Sequence, residues 1–186
     1  MTDGAPLTVV KVGGGLLDGP QDLAAVVSAL ASRRLRGERL LVVASAFKGV
    51  TDALEQAAVD ALDSRSGAEL MSHVVQRLRR RHEEVVASLP GASGLGLGLR
   101  AALDGVDRLL TGIRLTGELT DRTHDLLLAH GERLSVPLLA EALRLGGVDA
   151  RAVTSEEAGI KTRTVTGVSR FSTMLIVERD SIVAKV

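Results

Sequence analysis

The sequence predicts an α/β fold, and three observations carry that prediction. Leu7–Val12 (LTVVKV) is a short β-rich apolar run that ends on Gly13-Gly14-Gly15. Leu40–Ala46 (LLVVASA) is a second run, continuously apolar, which suits a parallel strand covered on both faces. Helical stretches follow each of them, giving the strand–loop–helix order of α/β chains.

From Leu16 to Arg36, Leu23, Val26, Val27, Leu30 and Leu35 fall near helical spacing, and Gly37 is the stop. Thr51 is placed to cap a helix running to about Leu62. Ala68–Leu89 is a mostly amphipathic helix, on which Arg77, Arg79, Arg80 and Arg81, mixed with Glu83 and Glu84, read as a solvated face. Pro90–Gly98 (PGASGLGLG) reads as a loop, because its glycines lack the strand–turn–helix setting of a dinucleotide fingerprint. Arg100–Leu110, Thr123–His130 and Glu132–Leu145 read as helices, the last with Pro137 near its first turns and Gly146-Gly147 as its stop. Val148–Val153 is a third strand. After Thr164 the chain turns β-branched (VTGVSRFSTMLIVERDSIVAKV), with a turn at Arg179-Asp180. The expected organisation is therefore a domain over 1–163 and a strand-rich tail over 164–186, with the fold incomplete at its C-terminus.

Composition removes several functions. At 186 residues one domain is expected. Lys+Arg and Asp+Glu are equal at 23 each, which argues against a nucleic-acid binder held by phosphate neutralisation. Phe47 and Phe171 are the two aromatics, too few for base stacking. With no cysteine there is no disulfide, thiolate metal site or cysteine nucleophile. The apolar runs fall well short of the ~18 residues of a membrane span, and the start has no signal-peptide layout. A cytoplasmic protein without nucleic-acid or membrane partners is expected.

Three stretches carry chemistry. Lys11-Val12-Gly13-Gly14-Gly15 ends a strand in glycines, so backbone N–H groups can approach a phosphate, and Lys11 offers a point charge. It is not a P-loop, since GxxxxGK[ST] is absent. Ser45-Ala46-Phe47-Lys48-Gly49-Val50-Thr51 follows the second strand, at the same edge, where ligands of open α/β sheets collect. His130-Gly131-Glu132-Arg133-Leu134-Ser135 puts a carboxylate in the first turn of a helix, either completing the helix dipole or meeting a substrate ammonium. His124 and His130 have no cysteine or carboxylate at metal-ligand spacing, so no metal site is expected there.

In this order the three stretches resemble the N-terminal part of the aspartokinases, members of the amino acid kinase family. That family's K-F-G-G-T-S is similar to Lys11-Val12-Gly13-Gly14, its V-S-A-x-x-G-x-T to Val43–Thr51, and its G-E-x-x-S to Gly131-Glu132-Arg133-Leu134-Ser135. The helices between the second and third motifs resemble the aspartokinase insertion. The resemblance covers about residues 7–160 and implies an αβα sandwich with a mainly parallel sheet. It implies phosphoryl transfer from ATP, with Mg²⁺, to the β-carboxylate of L-aspartate in amino acid biosynthesis. Lys11 would then stabilise the transferring phosphoryl group; Gly13, Gly14 and Gly15 would hold phosphate oxygens; Ser45 and Thr51 would contact the aspartate; Glu132 would take its ammonium. Two departures stand out. The family's T-S is Gly15-Leu16 here, and its G-R-G-G-S-D stretch is absent. They lead to the expectation that the chain alone is inactive and works as a homo-oligomer or with a completing second chain. The alternative is a non-catalytic binding or regulatory protein built on a degenerate kinase half.

Overall fold

β1 (Leu7–Val12) and β2 (Arg39–Ala44) pair in parallel, from Leu7 opposite Arg39 to Val12 opposite Ala44. These strands belong to a computed structural model that describes residues 6–63, 67–92, 95–155, 157–158 and 174–178. Among the described residues the sheet has four strands in the order β1-β2-β4-β3, with β3 at Ala150–Thr154 and β4 at Met174–Glu178. β4 is antiparallel to both β2 and β3, so β1, β2 and β3 run the same way and their C-terminal ends share one edge. β4 lies within the 164–186 stretch; the expected turn at Arg179-Asp180 lies outside the described residues.

Six helices accompany the sheet among the described residues: α1 (Pro20–Leu35), α2 (Val50–Ala61), α3 (Gly67–Ala87), α4 (Leu95–Thr116), α5 (Asp121–Leu128) and α6 (His130–Leu145). The alternation of each strand decides what they cover. In β2, Leu40, Val42 and Ala44 are buried and join the main core with Val10 and Val12, while Leu41 and Val43 turn to the other face and pack with Val153. On that second face Leu7 and Val9 remain exposed. α6 is the helix that seats the sheet: it contacts β2, β3 and β4 and also packs against α1 and α4. Its Leu134, Val136, Leu138, Leu139 and Leu143 are almost fully buried, and its less buried side is the stripe Arg133, Pro137, Glu141 and Arg144.

Several expected boundaries move. The first helix starts at Pro20 rather than Leu16, because Gly14–Leu16 forms a 3-10 turn first and proline suits the opening turn of a helix but biases the residue before it away from one. Thr51 does not cap α2: Gly49 does, at φ +74, and Thr51 is the second helical residue. Leu95–Gly98 is helical rather than loop. The stripe Leu99, Leu103, Val106, Leu110 and Ile113 buries enough surface to carry its glycines, each costing about 1 kcal/mol relative to alanine. Pro137 lies inside α6, further from its start than expected, because α6 already opens at His130. No helix among the described residues is long and apolar enough to cross a membrane.

Candidate active site

The parallel pairing of β1 and β2 brings their two loops together. The Ser45 amide donates to the Val12 carbonyl at 3.0 Å, and the Lys48 amide donates to the Leu17 carbonyl at 3.0 Å. Gly14 sits at the tightest point: a Cβ there would lie 2.9 Å from the Ala46 carbonyl oxygen, backbone that cannot retreat cheaply. Gly13 and Gly15 face open space, with nothing within 4 Å of a Cβ position, so the rim of the loop is accessible to a ligand.

α6 closes the third side. Gly131 lets it approach the loop after β2, since a Cβ there would stand 2.8 Å from the Ala46 Cβ and 3.7 Å from a Val50 methyl. Two side chains then bond across. The buried Ser135 hydroxyl donates to the Ser45 carbonyl at 2.8 Å, and the Ala46 amide donates to Glu132 Oε1 at a long 3.4 Å. The loop is pinned from the far side by Phe47, fully buried and edge-on to the His82 ring of α3 at 5.5 Å and 84°. His82 Nδ1 faces the Leu78 carbonyl at 2.7 Å, and burial pushes its pKa below the ordinary histidine value.

Glu132 is the electrostatic anomaly of the site. Burial raises its pKa above the ordinary carboxylate value, against the lowering effect of backbone N–H groups, Ala46's among them. Among the described residues no cation pairs with it, so its charge is compensated only by weak amide contacts. A partly desolvated carboxylate without a counter-charge, beside the loop after β2, is suited to receiving a cationic ligand group.

The structure brings together Gly14, Ser45 and Glu132. It places Thr51 half-buried in the first turn of α2, beside Val50. Lys11 is exposed near the C-terminal end of β1, and strand alternation puts it on the face of Leu7 and Val9, opposite the face that carries α6. Two features are not legible in the sequence. Ser135 lies in the third motif, but no local pattern shows that its hydroxyl reaches the Ser45 carbonyl. Arg81 is no free solvated arginine: it bonds to Asp18, which also takes Lys48. These partners are 63 and 30 residues apart, beyond any local pattern.

Among the described residues no group of three or more His, Cys, Asp or Glu side chains could hold a metal ion. The sequence model of the amino acid kinase family matches residues 6–183. The chain belongs to the amino acid kinase family. Among solved structures of similar fold is Escherichia coli aspartokinase III in complex with aspartate and ADP, in its R-state. It has a TM-score of 0.66 and 22% identity over 77% of this chain and 30% of that one. The same enzyme with lysine and aspartate, in its T-state, has a TM-score of 0.62 and 22% identity over 76% of this chain and 29% of that one. This member of the family thus shares the fold of aspartokinase III over the matched part, and spans less than a third of that enzyme's length.

Proposed function

We propose that the chain carries the amino-acid-substrate side of an aspartate kinase. The observation that supports this most is the half-buried Glu132, which has no cationic partner among the described residues, beside the loop after β2. An α-ammonium group of L-aspartate would supply the missing positive charge, and aspartate is a ligand of both aspartokinase III complexes. Ser45 and Thr51 would contact the rest of the amino acid from the loop after β2. Ser135 would hold that loop by its carbonyl. Gly13, Gly14 and Gly15 would present backbone N–H groups to phosphate oxygens, and Lys11 would offset charge on the moving phosphoryl group.

In the full reaction a β-carboxylate oxygen of aspartate attacks the γ-phosphorus of ATP. The bond from that phosphorus to the ADP oxygen breaks, giving aspartyl phosphate and ADP. Positioning and electrostatics carry such a step, and no covalent enzyme intermediate is required. Mg²⁺ would arrive on the nucleotide phosphates as part of the Mg-ATP substrate. The chain alone is expected to release no aspartyl phosphate, and ATP-dependent hydroxamate formation by it would overturn that expectation. A cytoplasmic enzyme of amino acid biosynthesis, working as an oligomer or with a second chain, completes the reading.

Calorimetric titration tests it. Wild type is expected to bind L-aspartate, and to bind succinate, which lacks the ammonium group, at least tenfold more weakly. The tenfold ratio corresponds to about 1.4 kcal/mol. Equal affinity for the two, or none for aspartate, counts against the reading. The Gly15-Leu16 pair, with Leu16 exposed in place of a hydroxyl, favours a second reading: a binding protein that takes the amino acid without transferring phosphate.

A further inference from the structure

Asp18 stands where three segments cross. Its carboxylate accepts from Lys48 Nζ at 2.7 Å and from Arg81 Nη2 at 2.9 Å, and its backbone carbonyl accepts from the same Arg81 nitrogen at 2.9 Å. Its own amide donates to Asp22 Oδ2 at 3.2 Å. The loop after β1 is thereby tied to the loop after β2 and to α3. Lys48 is doubly engaged, since its amide also holds the Leu17 carbonyl and its Cα lies 3.8 Å from the Cβ position of Gly14.

The charges balance: Asp18 and Asp22 face Lys48 and Arg81. The cluster is therefore a poor trap for a free anion. It is also a weak staple, because its ionic side chains are 34–61% exposed and pairs of that kind add little to stability. What it fixes is geometry. Gly13 and Gly15 have no neighbour within 4 Å of a Cβ position, and a glycine segment surrenders much backbone freedom when it orders around a ligand. A loop without the threonine and serine of the related motif must rely on its backbone N–H groups, which act only if already aimed.

We propose that Asp18 is a positioning residue, which together with Arg81 of α3 locks the Gly13–Leu17 loop, whose Leu16 and Leu17 amides close its own turn, so that the glycine amides are set for the oxygens of a polyphosphate. The inference rests on the phosphate-loop reading of Gly13–Gly15.

The test uses the full chain and magnesium tripolyphosphate, titrated by calorimetry, with the melting temperature of each variant measured alongside. Asp18→Asn makes the site more positive, so simple attraction predicts tighter binding; positioning predicts weaker. The expected result is a loss of about three- to tenfold in affinity for Asp18→Asn and for Arg81→Gln. Arg81→Lys is expected to recover part of the loss, and the Asp18→Asn/Arg81→Gln double variant to be no worse than either single one, since both break one network. Melting temperatures are expected to stay within about 2 °C. Tighter or unchanged binding by Asp18→Asn overturns the inference, as does a large fall in melting temperature with no change in affinity. Lys11→Ala separates this inference from its premise. If it abolishes binding while Asp18→Asn and Arg81→Gln leave it unchanged, the phosphate loop stands and the positioning role falls. If wild type does not bind tripolyphosphate, the phosphate-loop reading falls and takes this inference with it.

Discussion

Glu132 is held in a state that costs stability without its ligand, and the sign of that cost is testable. Its folded pKa is raised above the ordinary 4.5, so the folded state binds more protons than the unfolded state just above that pH. Stability attributable to Glu132 is therefore full below about 4.5 and is lost as pH rises through the raised folded value. Glu132→Gln removes the titration. Chemical denaturation across pH 4 to 8 should show wild type losing stability relative to Glu132→Gln as pH rises. A flat difference would mean that the burial has no electrostatic consequence. Gly131 is the second residue-scale test. Gly131→Ala places a Cβ 2.8 Å from the Ala46 Cβ and should cost about 1–3 kcal/mol by overpacking. The Gly131→Ala/Ala46→Gly double variant should recover part of that, because the two positions share one contact. Strict additivity in urea denaturation would contradict this account of the α6 approach.

At the scale of elements, packing between helices depends on a few small residues and buried rings. Gly105 of α4 faces His130 of α6, whose Nε2 would lie 2.5 Å from a Cβ. That ring cannot swing away cheaply, being buried with its Nδ1 against the Leu126 carbonyl at 2.8 Å. Gly105→Ala should therefore destabilise the fold by about 1–3 kcal/mol, despite alanine's better helix propensity. His82 ties α3 to the loop after β2, and its pKa is depressed below 6.5 by burial. Stability from such a group is full above about pH 6.5 and lost as pH falls toward the depressed folded value, because the unfolded chain takes up the proton first. Melting temperatures from pH 7.5 down to 5 should fall more steeply for wild type than for His82→Leu; parallel curves would contradict it.

The elements also show what the sequence made legible. β1 and β2 are legible because each is a short apolar-rich run between turn signals, β3 because it follows the Gly146-Gly147 helix stop, and Gly37 ends α1 as expected, at φ +82. The start of α1 was misplaced because Leu16 and Leu17 fit the helical period, yet Pro20 sets the boundary. The head of α4 was hidden by its glycines, whose cost is outweighed by burial of Leu99 and Leu103. Of the site, the three motifs were readable as local strings. Ser135 to Ser45 and Arg81 to Asp18 were not, because they join residues 90 and 63 apart and follow no periodicity.

The whole molecule sets the three motifs at one edge. Three co-directional strands place the ends of β1 and β2 side by side, and the first turn of α6 meets the loop after β2, whose Ala46 carbonyl in turn lies against Gly14 of the loop after β1. That convergence is the basis for reading the chain as the aspartate-binding side of a kinase. The claim is tested most directly by thermal unfolding of wild type and Glu132→Gln, each with L-aspartate, with Mg-ATP and with neither. A ligand that binds only the folded state, at about 100 times its Kd, adds about 2.7 kcal/mol. For a chain of this size that is a rise of roughly 5–11 °C. The account predicts this rise for wild type with aspartate and its loss in Glu132→Gln. An aspartate shift that survives in Glu132→Gln, or no shift in wild type, would contradict it.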